Sequence, residues 1–133
     1  VYDNIRDFLE QSCKAIEPQF KIQHDFGIGY EEYIRTSNSV TPSALIVSDG
    51  FTSAGQFESG ATSEFNENYR IIINVKRERN SEKLLIALRD QLNIGEVNTA
   101  DFVYSVQVLD GIWLPADRAL NTFEIRLQFL CLQ

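Results

Sequence analysis

One histidine, two cysteines and two close pairs of carboxylates are the side chains in this sequence best suited to carry out a reaction. His24 would have to serve any nucleophilic triad and most general-base schemes, because imidazole exchanges a proton near neutral pH. It shares one side of an alternating segment with Phe20, Ile22 and Phe26, while Lys21, Gln23 and Asp25 occupy the other, so it is expected to be packed rather than catalytic. Glu31 with Glu32, and Glu64 with Glu67, could act as an acid and a base if held across a cleft. Nothing beside them in sequence outlines a cleft, and solvated loop charge is the expectation. Cys13 and Cys131 fall on apolar faces of predicted elements and are expected to be buried, reduced thiols, as in a cytosolic protein. Together with one histidine they supply no ligand set at metal spacing. The expectation is a protein with no catalytic residues, no metal and no cofactor, and not an enzyme.

Short motifs add little. Asp25-Phe26-Gly27 spells the magnesium-binding triplet of protein kinases, but the glycine-rich and catalytic loops that give it meaning have no counterpart in 133 residues. There is no phosphate-cradling loop and no dinucleotide fingerprint. With 12 Lys and Arg against 19 Asp and Glu, the net charge of -7 has the wrong sign for gripping phosphates. Lys76, Arg77 and Arg79 therefore read as a solvated strand end. No apolar run approaches the ~18 residues of a membrane span. The opening VYDNIRDFLEQ lacks the apolar core of a signal peptide, so neither membrane insertion nor secretion is expected.

Any function must therefore come from the elements themselves. Ile5, Phe8, Leu9, Ser12, Cys13 and Ile16 recur at helical spacing, with Asp3 or Asn4 as cap and Pro18 as stop. The alternating segment around His24 follows, closed by Gly27 and Gly29, and the run Ala44-Leu45-Ile46-Val47 reads as a central strand. Tyr69, Ile71, Ile73 and Val75 predict a further strand, with Ile72 on its opposite face implying cover on both sides. Ser81 is a suitable cap for a helix whose stripe is Leu84, Leu85, Leu88 and Leu92, ending near Gly95. Phe102, Tyr104, Val106 and Val108 line the next strand, and Asp110-Gly111 and Pro115 read as the connection after it, anchored on the sheet by Trp113. In the last strand Phe123, Ile125, Leu127, Phe129 and Cys131 point inward, and Thr122, Glu124, Arg126 and Gln128 outward.

Residues 49–68 (DGFTSAGQFESGATSEFNEN) form the longest stretch without period, carrying Gly50, Gly55 and Gly60 along with Phe51, Phe57 and Phe65. Structureless loops of this length are uncommon in compact domains unless they are functional. The aromatics suggest a projecting hairpin, or a segment that orders on a partner, and make Phe51, Phe57 and Phe65 the candidate interface residues. The sum is a single α+β domain over residues 1–133. It has a mixed, mainly antiparallel sheet of about four to five strands packed against two helices.

This order of elements resembles the tail terminator proteins of long-tailed bacteriophages, a family that includes tail-completion and tail-to-head joining proteins. The resemblance is carried by YDNIRDFLEQSCKAI, by ALIV entered through Thr41-Pro42, by NYRIIINVKRERNSEKLLIALRDQL, and by the closing FVYSVQVL and NTFEIRLQFLCL. It spans nearly the whole chain and lies in topology and size rather than in a chemical motif. It implies a structural virion protein made in the host cytoplasm, whose partners are itself in a hexameric ring, the tail tube protein and the head-tail connector protein. Such a ring caps the head-proximal end of the tube, and DNA passes through without specific binding. Another head-tail connector or neck protein, or a small ligand-binding or adaptor domain, remains the alternative.

Overall fold

Two helices and six strands occupy the described residues, 2–25, 42–56, 63–76, 81–98, 103–114 and 120–131 of a computed structural model. The expectations placed on Gly27, Gly29, Glu31, Glu32, Phe57 and Pro115 lie outside them. Helix α1 (Tyr2–Ile16) turns Ile5, Leu9 and Cys13 fully into the core, with Phe8 and Ile16 along its margin. It is already formed at Asp3 and Asn4, so neither residue is the cap that the spacing suggests. At its far end Glu17 N–H still bonds to the Cys13 carbonyl at 3.0 Å, and Pro18 then prevents another turn.

Strand β1 (Lys21–Asp25) runs parallel to β2 (Ser43–Gln56), and β2 pairs antiparallel with β3 (Ser63–Lys76). Helix α2 (Ser81–Leu92) leads to a three-residue β4 (Glu96–Asn98), then β5 (Val103–Leu114) and β6 (Leu120–Cys131). The sheet order is β1-β2-β3-β6-β5-β4. The domain is thus α+β, but the sheet is mixed and six-stranded, which corrects the expectation of four to five mainly antiparallel strands. A strand as short as β4, with an exposed–intermediate–exposed pattern, leaves no period to read.

One face of the sheet carries the main core. Ala44 and Ile46 of β2, Tyr69, Ile71 and Ile73 of β3, and Ile125, Leu127 and Phe129 of β6 meet Ile5, Leu9 and Cys13 of α1 and Leu85, Leu88 and Leu92 of α2. Each side chain of this size stabilises by about 1.5–3 kcal/mol when fully removed from water. Edge-to-face contacts of Phe129 with Phe8 (6.1 Å) and Tyr69 (5.7 Å) fix the junction of α1 and the sheet. Ser81 donates its hydroxyl to the Lys76 carbonyl at 2.8 Å, tying the start of α2 to the end of β3. Gly95, with φ of 83°, turns the chain out of α2, and its carbonyl accepts from Val106 N–H.

The opposite face is covered at its centre, where Leu45, Val47 and Ile72 are buried against Leu114. The outward side of β6 is accordingly not all in solvent. Thr122 and Glu124 are buried, and of the four outward positions only Arg126 is exposed. The Thr122 hydroxyl bonds to the Asn74 side chain, and Glu124 accepts from Arg70, so both polar groups are satisfied within the sheet.

Two stretches without a period in sequence are strands, the first of them the one for which a projecting hairpin is an expectation. Residues 49–56 and 63–68 continue β2 and β3 as a hairpin, through Phe51↔Glu67, Ser53↔Phe65 and Gln56↔Ser63. Asp110 to Leu114 continue β5 beyond a bulge at Val108/Asp110, so Trp113 is a strand residue and not the anchor of a turn.

Candidate interaction surface

His24 sits in β1 opposite Ile46, with Nε2 3.9 Å from the Glu10 carboxylate, which itself stands 3.9 Å from Lys14. Cys13, on the same helix as Glu10, is buried and chemically silenced. Burial, reinforced by the charge of Glu10, pushes the Cys13 thiol up to about 12. Alkylation of the native protein at pH 8 should therefore label Cys13 roughly a thousandfold more slowly than in the unfolded chain. Labelling at the unfolded rate, read by mass spectrometry, would put it at the surface. Cys131 ends β6. Glu64 and Glu67 both lie in β3. Among the described residues no cluster of His, Cys, Asp and Glu could hold a metal ion. No helix there is long and apolar enough to cross a membrane.

What the sheet does assemble is a set of surfaces. The β2–β3 hairpin runs past the last β3–β6 pair, Asn66↔Leu130, and continues to Gln56↔Ser63. Gly50, at φ of 83°, makes the bulge between Ser48 and Phe51. Phe51 emerges from that bulge 60% exposed. Phe65 lies on the same hairpin opposite Ser53, so the structure brings two of the three candidate interface residues onto one element.

A second surface was not legible in the sequence. Between α2 and the β5–β6 pair lies an open groove of about 520 Å³ whose walls include Leu85, Ile86, Leu109, Trp113 and Phe123, with Arg89 among its polar residues. Trp113 stacks edge-to-face on Phe123 at 5.0 Å yet remains 51% exposed, and Ile86 across the groove is 48% exposed. Gly111 is required here, because a Cβ at that position would stand 2.6 Å from Phe123 Cζ. The helical period of Ile86 and the turn-like Asp110-Gly111 gave no sign that the two would face each other.

The third surface is the face away from the helices, crossed by charges. Arg70 Nε donates to Asp49 at 2.7 Å and its Nη1 to Glu124 at 2.8 Å. Arg126 Nε donates to Asp110 at 2.6 Å, and its terminal nitrogen makes a second bond to the same carboxylate. Arg70 and Arg126 are direct cross-strand partners, an opposition of like charges that these carboxylates offset. The hydrogen bond to Asp49 raises the Arg70 pKa, and the Arg126 hydrogen bond holds Asp110 below the usual carboxylate range. Both arginines are thus engaged by carboxylates, which leaves this face poorly suited to holding phosphates.

No family model matches the chain, and no curated protein matches it. The chain is similar in fold to a solved structure whose name describes no function, with a TM-score of 0.65 and 12% identity over 100% of this chain and 96% of that one. At that identity the likeness concerns the fold alone.

Proposed function

We propose that this protein is a bacteriophage tail terminator, a structural virion protein that closes into a ring on the head-proximal end of the tail tube. There it stops tube polymerisation and joins the tail to the head connector, with no catalysis. One observation carries the reading: a β2–β3 hairpin that continues past the last described β3–β6 pair and, one rung before it, leaves Phe51 exposed, in a domain whose elements follow the order of that family. A projecting hairpin on one side of a domain is a natural device for head-to-tail contact, which closes into a ring when the rotation between subunits permits. The net charge of -7 and the carboxylate-bound arginines fit a hole through which DNA slides without being held.

Removing residues 54–63 tests this role. The trimmed chain keeps the β2–β3 rungs up to Thr52↔Asn66, with Ser53, Glu64 and Phe65 as the connecting turn, and closing a shorter loop changes stability by about 1 kcal/mol or less. Circular dichroism and melting cooperativity should be retained, while termination of tube growth in a mixture with tube protein should be lost. Normal termination by the trimmed protein would move the interface off the hairpin tip.

The groove between α2 and β5 favours a second reading, a small ligand-binding or adaptor domain. A stable monomer that neither associates with itself nor binds tubes would select it. A neck protein other than the terminator would instead bind the connector and not the tube.

A further inference from the structure

Strand β5 outgrows its neighbour on the open side of the sheet. β4 pairs only with Val103, Tyr104 and Ser105, and the Val106 N–H still reaches the Gly95 carbonyl at 2.9 Å. From Gln107 to Leu114 the strand pairs with β6 on one side and with no described strand on the other. Every second residue of an antiparallel edge turns its N–H and C=O outward, so this stretch presents a row of backbone donors and acceptors about 25 Å long. Gln107, Leu109, Gly111, Ile112 and Trp113 are all exposed.

Apolar side chains gather at the same place. Of the six large apolar side chains exposed among the described residues, Phe51 alone lies elsewhere. Leu109, Ile112 and Trp113 belong to the edge itself, Ile86 stands across the groove from Trp113, and Ile94 precedes the glycine that bonds to Val106. Native edges are commonly blunted by lysine or proline. Residues 107–114 (QVLDGIWL) have neither, and their one charge, Asp110, is held by Arg126. The bulge at Val108/Asp110 interrupts the edge once, and Asp110 to Leu114 beyond it keep a regular register.

Geometry narrows the occupant. Trp113 lies with Phe123 on the helix side of the sheet, whereas Ile112 shares a rung with Glu124 on the face away from the helices. A molecule confined to the groove would leave Ile112 uncovered, while one lying in the plane of the sheet reaches both. The groove lining sets Glu82 and Asp110 against Arg89, a balance that favours an uncharged occupant. A second folded copy meeting this edge with its own would touch along about 25 Å of a sheet about 10 Å thick, roughly 250 Å² per partner against the ~800 Å² of a stable pair. An extended segment is not so limited. Its backbone pairs with the edge, alternate side chains enter the groove, and those between them cover Ile112.

We infer that β5 accepts an extended, uncharged segment of a partner protein as an added strand along Gln107 to Leu114, with alternate apolar side chains in the groove between α2 and the β5–β6 pair. This goes beyond the ring reading and does not rest on it.

Trp113 is the sole tryptophan of the chain, so its emission reports on the site. The probe is a capped peptide of alternating valine and threonine, titrated to about 1 mM against the whole chain. It should shift the Trp113 emission to the blue and saturate. N-methylation of every second peptide nitrogen removes the donors of one side only. On the side that faces β5 it should weaken binding roughly 30-fold, and on the other side it should leave binding unchanged. Ile86→Glu, at an exposed position, should keep the wild-type circular dichroism and weaken binding roughly tenfold. The absence of a saturable shift, or equal binding of the two methylated peptides, overturns the inference. So does a Trp113 emission that shifts with protein concentration alone and follows dimerisation in sedimentation, since a second copy is then the occupant.

Discussion

Phe129→Asp should leave the chain unfolded. Phe129 is 1% exposed, packs edge-to-face on Phe8 and Tyr69, and lies at the junction of α1 with the sheet. The substitution removes an aromatic from a filled site, which costs about 3–5 kcal/mol, and sets a carboxylate in the main apolar cluster. The total approaches or exceeds the 5–15 kcal/mol by which native domains are usually stable. Gln128→Asp, one residue away on the opposite face and only partly buried, should cost about 1 kcal/mol or less. Thermal melts of the two variants check the register directly. Similar melting of both would contradict the inward assignment of Phe129.

The second large effect concerns the bridge across the other face. Arg70→Met deprives Asp49 and Glu124 of their shared cation, and Glu124 is only 8% exposed. Breaking a fully buried pair costs about 3–5 kcal/mol and an exposed one about 0–1. Arg70 is about a third exposed, so a loss of about 2 kcal/mol is expected. Much of that loss is the stranded carboxylate, so Arg70→Met with Glu124→Gln should recover about half of it. A denaturant titration in which the double variant falls by the sum of the single losses would show that Arg70 and Glu124 are not coupled.

These two sites also show what the sequence could and could not reveal. The inward face of β6 was legible at Ile125, Leu127 and Phe129 because strict alternation leaves one consistent register. The helices were legible for the same reason at period 3.6, through Ile5, Leu9 and Cys13 and through Leu85, Leu88 and Leu92. Strands β2 and β5 were cut short in the reading at an Asp-Gly pair, the usual mark of a turn. At Asp49-Gly50 the glycine makes a positive-φ bulge from which pairing resumes at Phe51. At Asp110-Gly111 it makes room for the ring of Phe123 within a continuous strand. Glycine serves a turn, a bulge and a close approach alike, and sequence does not say which. Thr122 and Glu124 were misplaced because their burial depends on Asn74 and Arg70, about 50 residues away in the chain. Of the candidate surface, the hairpin aromatics could be named from composition, whereas the groove exists only once α2 is laid beside β5.

Negative-stain electron microscopy of the purified protein, alone and mixed with tail tubes, tests the terminator reading most directly. The account predicts six-fold rings with a central hole, and tubes bearing one such ring at a single end. Featureless particles together with tubes bare at both ends would contradict it.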